Sequence, residues 1–548
     1  MDGSSLVSTT FSNGQQGVNV GAYSPQRYSD TTYTSTSGPD FNRFTGADYS
    51  FSLNQSGEYA SDYAIYRFGR GTGNPILQFT AGSSAATLQF ARFGATSDST
   101  DESWALDNVR VDGVQTAAST SSVSTSTPIP GGTGAFTGFG SRPSTSAGGM
   151  AFRGGGASDQ EGIYAQDGAA LVRIADKSTA IPGGSGTFTG FSLGGIPSDP
   201  IRSGDNAVFA GAGSGSQAGI YARLGGALTR IADTATAIPN GSGNFTRFIP
   251  GDPVIPGDPV IPSDPAISGS NVAFYGAGSG GQQGIYARLG GSLLRVADTN
   301  TAIPGGSGTF TAFGGRTIPS DPIMPADPLI GGDTIAFYGA GSSGQQGIYK
   351  STGGGAPVTV ADTGTAIPSG AGTFSLFRSI SMDDANLAII GGNSAGLLGI
   401  YGSLSGGALI RLVDNTMTLP GSSSRFADFL AVSIDPADFA FLATGSDGEK
   451  GIFASLSGTL FDVINRGDVL DGRTISDLSF GKAGFFEDAN GAQIAYRATF
   501  TDGTSGTYTS AVVVPEPGSL ALLGMAGLLL AGRRRARSRH SALGSDDR

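Results

Sequence analysis

The chain has 548 residues, 91 of them Gly, with no Cys, one His and a net charge of −12. This composition excludes thiol chemistry, disulfides and thiolate metal sites, and it argues against a nucleic-acid partner, which requires clustered bases. Apolar residues still make up 38% of the chain, enough to fill cores, so this is not a disordered sequence.

The acids are nearly all Asp, with Glu only at Glu58, Glu102, Glu161, Glu449, Glu487 and Glu516, and only four of the 32 bases are Lys. Helical surfaces favour Glu and Lys, whereas Asp favours turns. The balance predicts an all-β protein; the strand runs, repeats and tail taken up next make it a seven-bladed β-propeller, preceded by a partial β-sandwich and followed by a short C-terminal transmembrane helix.

Residues 1–115 hold the strand-like runs "ADYSFSLN", "DYAIYRF", "NPILQFTA", "ATLQFARFG" and "WALDNVRV", an antiparallel β-sandwich pattern. The opening "MDGSSLVSTTFSNGQQGVNV" has neither a basic nor an apolar signal region. We therefore expect an export signal, and the first strands of the sandwich, to lie upstream. The run "ESWALDNVRV" contains the single Trp, Trp104, and resembles the closing strand of jelly-roll domains in exported bacterial proteins. That resemblance makes Asp107 and Asn108 candidate calcium ligands, since calcium takes carboxylate and amide oxygens. The plainer expectation is that both satisfy backbone at a strand edge.

Residues 116–514 are periodic. "GIY" or a relative begins at Gly162, Gly219, Gly284, Gly347, Gly399, Gly451 and Gly506, and an Ile-Pro pair recurs at Ile129, Ile181, Ile238, Ile303 and Ile367, with Leu419-Pro420 and the worn Leu470-Asp471. Two independent markers thus give seven units. A hexapeptide, Ile-Pro-x-Asp-Pro-x, appears once from Ile196, three times from Ile249 and twice from Ile318. Without these copies the unit is about 50 residues long, and it reads as four short strands, the propeller signature. "TAASTSSVSTST", residues 116–127, stands where a fourth strand is due and is expected to close the ring beside "TSAVVV". The prolines bar the hexapeptide from a central strand, so its Asp199, Asp252, Asp258, Asp264, Asp321 and Asp327 are expected in solvated loops on one rim.

A second Asp recurs in the phrase "ADxxT" or its variants at Asp176, Asp233, Asp298, Asp362 and Asp414, always five residues before the Ile or Leu of the Ile-Pro motif. A residue repeated in successive blades is read as architecture: an Asp bonding the amides of the following turn. Catalytic centres need different residues with different pKa values at one place. With no Cys and no His before His540, no catalytic residue is assigned and a non-enzymatic protein is expected, a carboxylate-based carbohydrate-active hydrolase or lyase being the remaining alternative.

The last segment differs from everything before it. Residues 515–540 comprise Pro515-Glu516-Pro517, an uncharged apolar run at 518–532, and a basic cluster with Arg533, Arg534, Arg535 and Arg537; residues 541–548 form a polar tail. At 1.5 Å per residue the apolar run spans about 22 Å, enough for a thinned bilayer, and the arginines would keep the C-terminus cytoplasmic. The three parts in this order resemble the PEP-CTERM sorting signal. That resemblance implies recognition by an exosortase-type transpeptidase in the inner membrane of a Gram-negative bacterium, cleavage near the motif, and delivery to the cell surface. It also makes exopolysaccharide a partner to test, with calcium as the cofactor of such binding.

Overall fold

The computed structural model describes residues 49–53, 61–65, 115–116 and 121–513, apart from 148, 251–262, 315–326, 343, 421 and 490. The chain divides into two units, Met1–Val111 and Asp112–Arg548. In the first, the described residues form one antiparallel hairpin, with Tyr49–Leu53 against Ser61–Ile65 and Tyr49 opposite Ile65. The other sandwich runs, Asp107 and Asn108 lie outside the described residues, as does everything beyond Val513.

The second unit is a seven-bladed propeller built of seven antiparallel sheets. The "GIY" phrase forms the third strand of each, from Glu161–Asp167 in blade 1 to Ser505–Val513 in blade 7. Ala227–Asp233 is a typical fourth strand. Its Asp233 pairs across the ladder with Gly219, as Asp176, Asp298, Asp362 and Asp414 pair with Gly162, Gly284, Gly347 and Gly399. A Cβ at Gly219 would lie 2.6 Å from the Ala232 carbonyl oxygen, so the Gly of one marker and the Asp of the other belong to one device.

The innermost strands are Ser144–Ser146, Ile201–Ser203, Ala266–Ser268, Leu329–Gly331, Leu376–Asp383, Phe426–Asp435 and Arg473–Asp488. They touch one another in that order, and the last touches the first. Each blade also buries one face on its neighbour. One core cluster joins Val208 and Ile220 of blade 2 to Phe245 and Tyr286 of blade 3, and another joins Val123 and Ala495 of blade 7 to Phe136 and Tyr164 of blade 1. In six blades a Phe in or just before the first strand meets the third-strand Tyr or Phe edge-on at 4.9–5.2 Å, the geometry aromatic pairs prefer.

The ring closes where the sequence places its closure. Ser121–Ser124 pairs with the third strand of blade 7, Ser124 opposite Gly506 and Ser121 opposite Thr509. A second short piece, Gln115–Thr116, pairs farther along it, Gln115 opposite Val513. Val123, at 1% exposure, supplies the apolar contact that this serine-rich strand otherwise lacks.

The hexapeptides fall where the innermost strand is split in two, a break that blade 1 shows without any insert. In blade 2, Phe188–Gly190 and Ile201–Ser203 both pair with Asn206–Gly213, and the insert lies between them. Blades 3 and 4 repeat this split. The prolines are tolerated because the strand is already broken there.

Candidate functional site

The recurring Asps close the turn that follows each fourth strand. Asp298 Oδ1 accepts from the Asn300 amide at 3.0 Å and the Thr301 hydroxyl at 3.1 Å, while Thr301 Oγ1 accepts from the Asp298 amide at 2.9 Å. Oδ2 receives Arg295 at 3.1 Å. Asp233 is bound in the same way by Ala235, Thr236 and Arg230, and Asp176 by Ser178, Thr179 and Arg173. Asp362 keeps the Gly364 and Thr365 bonds, and Asp414 uses Thr416 and Arg411. Burial would raise the Asp176 carboxyl, but the bonds from Ser178, Thr179 and Arg173 outweigh it and hold it below the usual range.

A second constellation gathers at the hub. The last Asp of each insert is buried: Asp199, Asp264 and Asp327 are 4%, 2% and 5% exposed. They form a staircase in which each carboxylate accepts a backbone amide from the preceding blade. Asp199 Oδ2 accepts from Arg142 at 3.1 Å, Asp264 Oδ1 from Asp199 at 3.0 Å, and Asp327 Oδ1 from Asp264 at 2.6 Å. The Ser198 hydroxyl adds a bond to Asp264 at 2.9 Å.

Three cations approach the staircase, the most remote being Arg153 of blade 1, whose Nε lies 3.7 Å from Asp199 Oδ1. The Arg142 guanidinium, from blade 1, reaches Asp264 at 2.7 Å, Asp199 at 3.5 Å and Asp327 at 3.8 Å. A side chain that touches three successive blades must point into the centre of the ring. Lys482, from the innermost strand of blade 7, meets Asp327 at 3.2 Å, and the Ser381 hydroxyl of blade 5 donates to its carbonyl oxygen at 2.9 Å.

The electrostatics follow from burial and company. Burial pushes the Asp264 carboxyl up to about 6 against the pull of Arg142, with Asp327 and Asp199 adding to the rise. Burial also lowers Lys482, partly offset by Asp327 and Asp264. For Arg142 burial is outweighed by the three carboxylates, which raise it further. Removing charges from water is repaid only by close pairing of this kind.

The sequence expectation of solvated loops therefore fails for Asp199, Asp264 and Asp327, which are buried and paired; Asp252, Asp258 and Asp321 lie outside the described residues. Arg142 and Lys482 went unrecognised in the sequence, yet a signal was present. Ser141-Arg142-Pro143 of blade 1 stands where blades 2 and 3 have Ser198-Asp199-Pro200 and Ser263-Asp264-Pro265, a reversal of charge within one repeated triplet. Lys482 is one of four lysines and interrupts the apolar run "SFGKAGFF".

A third group lies at one end of the innermost strands of blades 5 to 7. Asp435 Oδ2 accepts the Glu487 amide at 2.9 Å. Burial raises Asp435 to about 7, opposed by that amide and reinforced by Asp383; burial and then Asp438 raise Glu487 to about 7. Among the described residues no group of three or more acids or histidines is arranged to hold a metal ion. A small cleft between blades 4 and 5 is lined by Thr334, Lys350, Met382, Leu387 and Ser403. It brings together none of the residues singled out in the sequence.

Fold and hub together define a seven-bladed propeller whose axis is occupied by paired charges. A family model described as a family of unknown function (DUF7453) matches residues 80–324 and 326–521, and the chain belongs to that family. Residues 513–535 match the PEP-CTERM protein-sorting motif. That motif marks an exported protein of Gram-negative bacteria, processed by an exosortase-type system and directed toward the cell surface. Its Pro515, Glu516, Pro517 and the arginines Arg533, Arg534, Arg535 and Arg537 lie outside the described residues. Among the described residues no helix is long and apolar enough to cross a membrane.

No curated protein matches the sequence. Among solved structures, a puromycin-hydrolysing peptidase of Mycobacterium tuberculosis is similar at 13% identity and TM-score 0.34, over 67% of this chain and 51% of that one. A Trypanosoma rangeli sialidase in complex with the inhibitor DANA is similar at 12% identity and TM-score 0.29, over 80% of this chain and 64% of that one. A protein of Agrobacterium tumefaciens described as putative TolB follows at 10% and 0.27, over 68% and 90%. This chain spans about half the length of the peptidase. Each is a likeness of fold and nothing more.

Proposed function

We propose that the protein is a non-enzymatic surface or matrix scaffold: a rigid propeller delivered by a disposable sorting tail. The observation that carries this reading is the hub, where Arg142 and Lys482 are committed to Asp199, Asp264 and Asp327 and brace blades 1, 2, 3, 4 and 7. Charges spent on one another across five blades rigidify a ring rather than supply an unpaired acid, base or nucleophile. Before processing, the apolar run at 518–532 holds the precursor in the inner membrane with its arginines on the cytoplasmic side. Cleavage by the exosortase-type enzyme then frees the folded portion for the cell surface, where exopolysaccharide is the partner to test.

The deciding experiment offers the purified full chain a panel of polysaccharides and peptides and follows both turnover and binding, with and without chelator. The scaffold reading expects no turnover, and it expects Asp264→Asn to change melting. Turnover by the wild type that disappears in Asp264→Asn while the melting temperature stays put would replace the scaffold with an enzyme.

A further inference from the structure

Blade 4 breaks the repeat at its seam with blade 5. Its third strand, Gln346–Thr352, reads Gly347-Ile348-Tyr349-Lys350-Ser351-Thr352, where blades 2 and 3 read Gly-Ile-Tyr-Ala-Arg-Leu. At the place of Lys350 the other blades carry small residues: Ala165, Ala222, Ala287, Gly402 and Ala454, with Thr509 in blade 7. At the place of Thr352, blades 2, 3, 5 and 6 carry Leu224, Leu289, Leu404 and Leu456, each packed on the core between its blade and the next. Lys350 stands opposite Ala336 and Val358 in the ladder, and residues opposite one another share a face. Ala336 is buried in the cluster that joins blade 4 to Leu387 and Tyr401 of blade 5, so Lys350 is directed at blade 5.

These two departures open the seam. A cleft of about 160 Å³ lies there, walled by Met382 and Leu387, with Lys350, Thr334, Thr352 and Ser403 supplying polar atoms. It has room for a single six-membered ring. The Thr334 and Thr352 hydroxyls bond each other at 2.9 Å, which uses one proton and leaves the other to donate, while Ser403 spends its proton on the Gly407 carbonyl at 2.7 Å. The cleft thus offers one ammonium, one hydroxyl donor and several oxygen lone pairs beside an apolar wall.

The ammonium decides what the cleft can hold. Lys350 is half-buried, and among the described residues its side chain has no ion-pair or hydrogen-bond partner, in a chain where acids outnumber bases 44 to 32. The seam between blades 1 and 2 also carries a charge, because Asp167 stands at the place of Thr352, but Arg202 of blade 2 closes it internally. No such partner closes the seam of blades 4 and 5. A cation held partly out of water gains most from a counter-ion that enters beside it.

We propose that the seam between blades 4 and 5 binds an acidic sugar residue, with its carboxylate on Lys350 and the free Thr hydroxyl and its ring against Met382 and Leu387. A carboxylate presents two oxygens to these two kinds of donor, the sugar hydroxyls meet the Thr and Ser oxygens, and the C–H face of the ring covers the apolar wall. An inorganic anion would leave that wall unused. The inference rests on the reading above that polysaccharide is the partner, and it names the chemistry and the place.

The test titrates galacturonic acid trimer, and separately its neutral methyl ester, into the purified full chain and reads binding by calorimetry. Lys350→Ala restores the residue that blades 1, 2, 3 and 6 use, and Thr352→Leu restores that of blades 2, 3, 5 and 6, so both should melt as the wild type does. The expected result is binding of the trimer but not of the ester, weakened about tenfold or more by Lys350→Ala. Thr352→Leu, which keeps the cation and fills the cleft, should weaken it as much. Equal binding of trimer and ester, or trimer binding unchanged in both variants, overturns the site and leaves the polysaccharide reading standing. Inorganic phosphate bound as tightly as the trimer overturns the assignment to a sugar. A wild-type chain that binds neither the trimer nor any neutral polysaccharide overturns the polysaccharide reading itself, and the site with it.

Discussion

Replacing Arg142 with Met removes the hub's principal cation while keeping much of its apolar stem. It leaves Asp199, Asp264 and Asp327, with side chains only 5%, 2% and 7% exposed, with Lys482 at Asp327 and the more distant Arg153 at Asp199. Breaking a buried pair by deleting one partner costs about 3–5 kcal/mol. The Arg142 side chain is 25% exposed, which places the loss near the lower figure, about 3 kcal/mol. For roughly 400 folded residues that is a fall of about 3–4 °C in melting temperature.

The loss must also depend on pH. Asp264 is already raised from 3.8 to about 6, and Arg142 is what restrains it. A carboxyl raised in the folded state keeps its proton where the unfolded chain has lost it, so its favourable contribution is full below the unfolded value and is lost as pH rises through the folded one. Without Arg142 that window extends upward, so the variant should lose more stability at pH 8 than at pH 5. Urea unfolding at both pH values measures this, and Arg142→Met with Asp264→Asn should recover part of the loss at pH 8. A loss under about 1 kcal/mol, the same at both pH values and unrelieved by the second change, would refute the claim that the hub is a desolvated charge network.

Asp298→Ala should destabilise by about 1–3 kcal/mol in thermal melts, because the Asn300 amide and Thr301 hydroxyl lose their acceptor. Gly213→Ala should cost about 1–3 kcal/mol by overpacking, since its Cβ would collide with Ile181 Cδ1, and Ile181→Val in the same chain should recover part of that. For the wild type, melting temperature should rise from pH 8 to pH 5 as Asp435, held up to about 7, and Asp264 retain protons in the folded state. It should then fall below about pH 4 as Asp176 and Asp414, held low by their turn bonds, are protonated. Deleting residues 515–539 should release the exported chain from the membrane fraction, read by immunoblot of fractionated cells.

What could be read from the sequence was whatever repeats. Gly219 and Asp233 recur because a single cross-strand pair demands both, one for close approach and one for the turn beyond it. The period exposes such pairs in blades 1 to 5, and the recurring Gly gives the blade count and the place of closure. Blade 6 shows the limit of this method. Asn465 stands at the repeat Asp, and Asp462 at the position of its Arg. There Asp462 accepts from the Asn465 amide nitrogen at 2.7 Å and burial raises it to about 6, an inversion that a search for recurring residues passes over.

The hub was illegible for the opposite reason, since it works through departures from the repeat. A triplet such as Ser-Asp-Pro, copied into every blade, would direct carboxylates from all sides at one desolvated axis, and such a ring would resist closing. The sequence places Asp at this point in blades 2, 3 and 4, Arg142 in blade 1 and Lys482 in blade 7. The cations therefore come from the two ends of the propeller chain and the carboxylates from its middle. The carboxylates meet all their cations only when the first and last blades come together, the same event that pairs Ser121–Ser124 with the final strand. Strand pairing and charge neutralisation thus close the ring at one seam, and a blade added or lost would unbalance the hub as well as break the sheet.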